Sequence, residues 1–280
     1  FRGLDSRAAS VCALLSEHGV ARGDRVLVSC RRGVAHVAVA TAILHLGAVY
    51  VPCDPGNPPE RAVAMAADAR PKVVLVDETI SAALRAALGE VVGEVLEVPN
   101  SQHGEARLLE PTVAPVALDP VYVLFTSGST GRPKGVEVGL AAFLNHLEMV
   151  REHLDLRPGE AVAQTAPLGF DVHVWQALVP LVGATAVVFE TELRDPEELL
   201  AGVERHGVSI LELVPSYLRA TCDLLDTQPE VVSRTAAVRH LLTTGEALEP
   251  ALLPRLRAAF PYATITNAYG PAEAADDVAL

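Results

Sequence analysis

Short apolar runs alternate with stretches of helical spacing along nearly the whole chain. Arg25 to Cys30 forms a strand-like run, RVLVSC, and a stretch of helical period from Ala35 to Leu46 separates it from the next run at Val49 to Pro52. Strands joined by helices at intervals of about 20 to 30 residues are typical of βαβ units in parallel sheets. The same pattern predicts strands at Lys72–Asp77, Val91–Val98, Val121–Phe125, Ala161–Gln164, Thr185–Phe189, Val208–Val214, Val238–Leu242 and Ala263–Thr266.

These strands are too many for one sheet of ordinary size, which holds about four to six. We therefore expect an α/β fold of two packed, mainly parallel sheets flanked by helices. A first portion of about residues 1–110 and a second of residues 111–280 are predicted, with a polar, proline-bearing surface connection at 101–115. Within the second portion we predict a helix that carries one apolar face, formed by Phe143, Leu144, Leu147, Val150 and Leu154.

Charge and composition narrow the class of partner. The 280 residues include 22 basic and 35 acidic side chains, a formal net charge of −13, so neither nucleic acid nor an anionic membrane surface is an expected partner. No run approaches the roughly 18 apolar residues of a membrane helix, and no signal-peptide pattern opens the chain, so we expect a cytoplasmic protein. The cysteines form no CxxC pair, which predicts buried, reduced thiols at Cys12, Cys30, Cys53 and Cys222.

One glycine-rich segment has the residues of a phosphate site. After the strand that ends at Phe125, the sequence is TSGSTGRPKG, from Thr126 to Gly135. Glycines allow backbone N–H groups to turn toward an anion, hydroxyls donate further hydrogen bonds, and Lys134 adds a positive charge. A flexible polar turn is the alternative, but Gly-Arg-Pro-Lys-Gly after a buried strand favours phosphate binding. The segment is not a Walker loop, because Gly135 rather than Ser or Thr follows Lys134.

This segment resembles the phosphate loop of the adenylate-forming enzymes, in particular the amino-acid-activating adenylation domains of nonribosomal peptide synthetases. Four further segments agree with that family in order and spacing: LGAVYVPCDP at 46–55, Phe170-Asp171, TGEAL at 244–248 and NAYGPAE at 267–273. The resemblance covers essentially the whole chain. Because the chain begins with Phe1, and because the family's ribose-binding aspartate, hinge and C-terminal lobe with its lysine lie downstream of Leu280, the resemblance predicts a fragment of the large N-terminal lobe, with little activity of its own.

The resemblance implies an activation reaction. A substrate carboxylate attacks the α-phosphate of ATP, pyrophosphate leaves, and the aminoacyl-adenylate passes to the phosphopantetheine thiol of a peptidyl carrier protein, beside condensation domains of the same assembly line. Lys134, Thr126 and His173 are the catalytic candidates, although His173 is equally a satisfied core histidine. Nucleotide contacts are implied for Thr126, Ser127, Gly128, Ser129, Thr130, Gly131, Lys134, Gly245, Glu246, Asn267, Ala268, Tyr269 and Gly270.

Two residues of the last motif have specific implied roles. Glu273 would bind Mg²⁺, a cation that prefers hard oxygen ligands, and the alternative is a solvated glutamate at a helix start. Tyr269 would stack on adenine, and the alternative is a core tyrosine. Relatives usually carry threonine where this chain has Ala272, so one hydroxyl near the α-phosphate is missing.

Asp171 is the most informative residue for the substrate. It begins an apolar helical segment in which an unpaired carboxylate costs several kcal/mol, so a cation should meet it. The resemblance makes that cation the α-ammonium of an amino acid, and an N-cap role is the alternative. Two other classes stay open. An acyl- or aryl-CoA ligase of the same superfamily would not need Asp171, and a non-catalytic module would be expected to lose phosphate-loop residues, none of which is missing.

The resemblance also assigns a side-chain pocket. Its lining positions fall on Asp171, Val172, Trp175, Glu212, Leu242, Thr244, Ala268, Asp276 and Asp277. Trp175 fills volume in the pocket, which favours a substrate with a short side chain. The carboxylates of Glu212, Asp276 and Asp277 favour a substrate with a second positive charge, because clustered like charges do not otherwise all stay ionised. We therefore predict 2,3-diaminopropionate or 2,4-diaminobutyrate as substrate, with ornithine, lysine or arginine behind them and serine as the neutral competitor.

Overall fold

The structure is a computed structural model that describes residues 2–99, 116–127, 133–189, 195–276 and 278–279, without the side chains of Arg2 and Ser127. Its helices are α1 (Arg2–Glu17), α2 (Val34–His45), α3 (Pro59–Ala69), α4 (Ala82–Val92), α5 (Leu140–His153), α6 (Val172–Leu178), α7 (Pro196–His206), α8 (Pro215–Thr227) and α9 (Leu253–Ala259). Its strands are β1 (Arg25–Ser29), β2 (Val49–Pro52), β3 (Val73–Val76), β4 (Val95–Glu97), β5 (Pro120–Ser127), β6 (Pro133–Gly139), β7 (Ala161–Gln164), β8 (Thr185–Val188), β9 (Ile210–Leu213), β10 (His240–Thr243) and β11 (Thr264–Asn267). Short 3₁₀ helices span Val179–Val182, Pro229–Thr235, Pro250–Leu252 and Ala272–Ala274.

Two compact units make up the chain. The first comprises Phe1–Leu144 with Pro167–Asp171, and the second comprises Asn145–Ala166 with Val172–Leu280. Each unit has its own sheet, and both sheets are mainly parallel and flanked by helices. The predicted α/β fold is therefore confirmed. The predicted boundary near residue 110 and the surface connection at 101–115 lie outside the described residues.

The sheet of the first unit has the strand order β4-β3-β1-β2-β5-β6. Neighbouring strands are parallel except β5 and β6, which form an antiparallel hairpin. All four residues of β2 and of β3 are buried, as expected of parallel strands covered on both faces. Helix α3 starts at Pro59, and proline is well suited to this position because a residue in the first turn needs no N–H.

The structure corrects the sequence prediction at α4 and β4. Val91 and Val92 were expected at the start of a strand but form the last turn of α4, and β4 is shorter than predicted. The helix ends at Gly93, whose φ of 82° suits glycine and whose N–H bonds to the carbonyl of Gly89. A capping hydroxyl on Ser81 accepts from Leu84 N at 3.1 Å and fixes the other end.

In the second unit the sheet is wholly parallel, with the order β11-β10-β9-β7-β8. Leu242 pairs with Glu212 on one side and with Thr266 on the other, which sets the register of the three strands β9, β10 and β11. Leu211, Leu218, Leu241 and Leu256 belong to its core, and all are fully buried.

Helix α5 confirms most of the predicted apolar face. Phe143, Leu147, Val150 and Leu154 are at most 3% exposed, whereas Leu144 is 50% exposed, so the prediction for Leu144 was wrong. The four buried residues follow spacings of four, three and four, while Leu144 lies about 100° around the helix from Phe143. All four cysteines are free thiols in buried positions, as predicted. Within the described ranges, no helix is long and apolar enough to cross a lipid bilayer.

Candidate active site

A β-hairpin supports the predicted phosphate loop. Strands β5 and β6 flank it, and their register places Thr126 directly opposite Lys134 and Ser127 opposite Pro133. Residues 128–132, which include the candidates Gly128, Ser129, Thr130 and Gly131, lie outside the described part of the chain. The Lys134 side chain is exposed, and Thr126 is half-buried. The hairpin therefore positions a cation and a hydroxyl on neighbouring strands at the base of the loop.

Gly135 allows close packing beside Lys134. It pairs with Phe125, and a Cβ at this position would lie 3.1 Å from Val123 Cγ1 and 3.3 Å from Phe125 Cζ. A side chain there would press on the buried strand β5. The last glycine of the motif thus has a packing role in the hairpin, in addition to the conformational freedom that the sequence suggested.

Asp171 is half-buried and directly precedes α6 in the chain. All seven residues of α6 are buried, among them Val172 and the candidates His173 and Trp175, each of the last two 1% exposed. The indole Nε1 of Trp175 has no hydrogen-bond acceptor among the residues that the structure describes. The buried Trp175 agrees with a volume-filling role. The roles of Asp171 and His173 stay predictions.

Glu212 lies in the middle of the second sheet. It is 3% exposed and pairs in register with Leu242, so two predicted pocket residues are neighbours on adjacent parallel strands. Thr244 and Ala268 follow the ends of β10 and β11, where the N–H of Ala268 bonds to Thr243 O at 2.8 Å. These positions lie at the carboxyl ends of parallel strands, the edge at which ligands of such sheets bind.

Sequence reasoning missed Gln176, which contacts this group. Its Oε1 accepts hydrogen bonds from Thr165 N at 3.0 Å and Ala166 N at 3.1 Å, and its Nε2 donates to Glu212 Oε2 at 3.4 Å. Thr165 Oγ1 donates to the carbonyl oxygen of Glu212 at 2.9 Å. Gln176 is 0% exposed. The available signal was a carboxamide in VHVWQAL, a run whose other residues are apolar except His173.

Gln164 is a second buried amide that sequence reasoning missed. It ends β7, is 0% exposed, and neither of its amide atoms has a hydrogen-bond partner among the described residues. Val162 pairs with Ile210, so two residues further along the parallel strands Gln164 comes level with Glu212 and extends toward the same face of the sheet. A carboxamide and a carboxylate therefore adjoin in one buried row.

Glu246 anchors the predicted adenine-side segment. Its Oε2 accepts from Ser216 N at 2.9 Å and its Oε1 from Ser216 Oγ at 2.8 Å. Ser216 lies in the first turn of α8, where backbone N–H groups lack partners within the helix. Gly245 has a φ of 78°, a conformation that favours glycine, and a Cβ there would lie 3.5 Å from Val214 Cγ1. The segment is thus held against the start of α8.

The last motif presents mainly exposed side chains. Tyr269 is 67% exposed, which excludes the core alternative, and its backbone forms a bridge with Ala279. Asn267 is exposed, Gly270 half-buried and Ala268 buried. Glu273 is exposed on the 3₁₀ helix Ala272–Ala274. An accessible aromatic ring and an accessible carboxylate are compatible with nucleotide and metal binding.

Asp276 is enclosed by protein and does not line an open pocket. It is 3% exposed, and its Oδ2 lies 3.6 Å from Nε2 of the buried His146 on α5. Asp277 lies outside the described residues. Of the predicted additional carboxylates, Glu212 and Asp276 are therefore both enclosed, and Asp276 has a titratable protein neighbour.

Glu273 is the predicted ligand of Mg²⁺. Among the described residues, no group of three or more His, Cys, Asp or Glu side chains forms a metal cluster. A single exposed carboxylate such as Glu273 fits Mg²⁺, which keeps several waters and takes its other ligands from substrate phosphates. The exposed Glu273 does not fit a metal site in which every ligand comes from the protein.

A family model described as AMP-binding enzyme matches residues 1–279. Enterobactin synthase component F of Escherichia coli is 36% identical over 286 residues, which cover 99% of this chain and 21% of that protein. Phosphinothricin tripeptide synthetase PhsB of Streptomyces viridochromogenes is 35% identical over 281 residues, 99% of this chain and 23% of that protein. The chain spans about a fifth of the length of these curated relatives.

Solved structures agree with the fold. The nonribosomal peptide synthetase FmoA3 superposes with a TM-score of 0.82 at 26% identity, over 96% of this chain and 28% of that one. Its AMPPNP-bound form gives the same values. O-succinylbenzoate coenzyme A synthetase from Bacillus subtilis, in complex with AMP, superposes with a TM-score of 0.82 at 18% identity, over 98% of this chain and 68% of that one, which shows the likeness of fold alone.

Proposed function

Because the chain belongs to the AMP-binding enzyme family, we propose that it activates an amino acid with ATP as part of a nonribosomal peptide synthetase. The carboxylate oxygen of the amino acid attacks the α-phosphorus, a new oxygen–phosphorus bond forms, and the bond to the β-phosphate oxygen breaks. Pyrophosphate leaves and an aminoacyl-adenylate remains. The names of the synthetase relatives support this proposal.

The observation that carries this proposal is the pairing of Thr126 with Lys134 across the hairpin. An exposed ammonium and a neighbouring hydroxyl bind the oxygens of the β- and γ-phosphates, so that the charge on the departing pyrophosphate is compensated. Gly135 lets the strand that carries Lys134 pack closely against β5. Ser127 and residues 128–131 complete the loop in this proposal.

The proposed contacts to the adenine belong to the second unit. Tyr269 offers its exposed ring to the adenine, with Asn267, Ala268, Gly270 and Gly245 around the base edge. Glu246 acts indirectly, since both of its oxygens are engaged by Ser216. Glu273 holds Mg²⁺, which when bound neutralises phosphate charge. Ala272 provides no hydroxyl beside the α-phosphate.

For the substrate we propose a short diamino acid, 2,3-diaminopropionate or 2,4-diaminobutyrate. Asp171 binds the α-ammonium, and Glu212 binds the side-chain ammonium. The hydrogen bond that Gln176 donates to Glu212 supports this assignment, because an amide orients the carboxyl group without supplying a positive charge of its own. The buried Trp175 limits the length of the side chain. His173, Val172, Leu242, Thr244, Ala268, Asp276 and Asp277 are the further proposed members of the site.

We further propose that the adenylate is delivered to the phosphopantetheine thiol of a peptidyl carrier protein, with condensation domains as neighbours. The sulfur attacks the adenylate carbonyl, AMP leaves, and a thioester forms. The names of the synthetase relatives support such an assembly line.

ATP–pyrophosphate exchange in the natural full-length protein tests this function. Exchange should depend on added amino acid and be fastest with one of the two short diamino acids. Exchange supported best by serine or leucine would overturn the substrate proposal, and exchange with aryl or fatty acids alone would favour the CoA-ligase alternative.

A further inference from the structure

Gln176 joins three secondary-structure elements of the second unit. It lies on α6, accepts from the backbone N–H groups of Thr165 and Ala166 beyond the end of β7, and donates to the carboxylate of Glu212 on β9. Two backbone donors fix the carboxamide oxygen, so the NH₂ group necessarily faces Glu212. The orientation of this amide is therefore set by hydrogen bonding.

We infer that Gln176 is a positioning residue that sets the orientation and the charge state of Glu212 for the substrate's side-chain ammonium. The inference rests on the proposed function, since it gives Glu212 a cationic partner. An amide N–H donates to a carboxylate without neutralising it. An Arg or Lys at the same place would hold Glu212 equally well but would cancel the charge that the substrate needs.

The residues around Glu212 bear on how strongly Gln176 affects its carboxyl group. Its neighbours in the strand register are Leu242 and, level with it on β7, Gln164, and both are uncharged. Helix α6 contributes His173 as its titratable residue. Glu212 is 3% exposed, so water does little to orient or screen its carboxylate. A change of charge at position 176 is therefore expected to alter the orientation and protonation of the Glu212 carboxyl group.

Replacement of Gln176 by glutamate separates this role from a structural one. In Gln176→Glu one carboxylate oxygen still accepts from Thr165 and Ala166, so the link between α6 and the segment after β7 is kept. The other oxygen faces Glu212, and two adjacent carboxyl groups then share one proton. Since the two backbone donors stabilise the negative charge on position 176, the shared proton resides on Glu212. Glu212 is thereby neutralised without a change in shape.

The experiment is amino-acid-dependent pyrophosphate exchange by the natural full-length protein between pH 6.5 and 9. For Gln176→Glu we expect the KM of the preferred diamino acid to rise at least tenfold at pH 7 and to fall toward the unmodified value as the pH rises, because the shared proton is lost. The KM of ATP should stay unchanged, and at pH 7, where the pair of carboxyl groups holds one proton, so should the thermal unfolding temperature. Glu212→Gln should raise the same KM without recovery at high pH.

A second variant keeps the test valid if Gln176→Glu folds poorly. The double variant Gln176→Glu/Glu212→Gln retains one carboxylate and one amide, but places the charge beside the backbone donors of Thr165 and Ala166. The inference predicts normal thermal unfolding and loss of the preference for diamino acids at every pH. Unchanged amino-acid KM values in both variants would show that Gln176 only links α6 to β7. Preference of the unmodified protein for a neutral amino acid would instead overturn the substrate proposal, so the two failures are distinguishable.

Discussion

Glu246 holds Ser216 with both of its carboxylate oxygens, at 2.9 Å from the backbone nitrogen and 2.8 Å from the hydroxyl. The two residues are 30 positions apart in the chain. A carboxylate at the start of α8 supplies an acceptor to unpaired N–H groups and interacts favourably with the helix dipole. This contact ties the segment of Gly245, which we propose to lie beside adenine, to a helix of the second unit.

We predict that Glu246→Ala lowers the stability of the chain by about 1 kcal/mol, the usual effect of losing an N-terminal cap. It should also raise the KM of ATP in the natural protein, because the Gly245 segment is no longer held. Glu249→Ala is the matched control, since Glu249 forms an exposed ion pair with Arg219 at 3.0 Å, whereas the hydrogen bonds of Ser216 go to Glu246. Equal ATP KM values for both variants would refute the anchoring role.

Lys134→Ala should slow pyrophosphate exchange by roughly 10²-fold, the order expected when one preorganised charge at a reacting phosphate is removed. The chain contains a second lysine, Lys72, which pairs with Asp24 at 2.9 Å. Lys72→Ala is therefore a matched control that removes an equal charge and should leave the exchange rate nearly unchanged. A normal rate in Lys134→Ala would remove Lys134 from the phosphate site.

His36 makes the first unit sensitive to acid. Its Nε2 lies 2.5 Å from Tyr50 Oη and its Nδ1 lies 3.2 Å from Cys30 O, so the neutral ring accepts from the tyrosine and donates to the carbonyl. Burial lowers the pKa of His36 from 6.5 to about 4. Below pH 6.5 the unfolded chain takes up a proton that the folded chain refuses, so stability falls as the pH drops toward 4.

The expected loss is about 3 kcal/mol between pH 6.5 and pH 4, the equivalent of this difference in pKa. Urea unfolding of the chain and of His36→Gln at a series of pH values measures it, because the difference between the two profiles isolates His36. The variant should lose less stability across this window. Parallel profiles would show that His36 does not titrate as described.

Gln164 should tolerate loss of its amide. A buried carboxamide without partners among the described residues gains nothing from its polar atoms, and an apolar side chain of similar shape avoids the cost of burying them. Gln164→Met is therefore expected to unfold at the same temperature as the unmodified chain or a higher one. A decrease comparable to that of a core cavity would contradict this expectation.

The sequence was informative wherever burial alone decides the structure. Fully buried runs such as Val73–Val76 predict parallel strands, because both faces of those strands are covered by helices. Strand β6 was missed because only one of its seven residues, Val138, is buried, which leaves no continuous apolar run. The end of α4 was missed because Val91 and Val92 favour strands locally, whereas the helix continues until Gly93.

Within the site, motifs identified chemistry but not the contacts that hold it. The loop residues from Thr126 to Lys134 could be recognised because their types and order suit a phosphate. The bond from Gln176 to Glu212 joins residues 36 positions apart and depends on how α6 packs against the sheet, which no local pattern encodes. Asp276 likewise adjoins His146 only through folding of the second unit.

Trapping of the activated amino acid tests the central claim most directly. Hydroxylamine attacks the carbonyl of an aminoacyl-adenylate, the bond to the AMP oxygen breaks, and a stable hydroxamate is released. With the natural full-length protein, ATP, Mg²⁺ and a mixture of amino acids, mass spectrometry should detect the hydroxamate of a short diamino acid together with an equal amount of AMP. If the protein binds ATP but forms no aminoacyl hydroxamate, the account is contradicted.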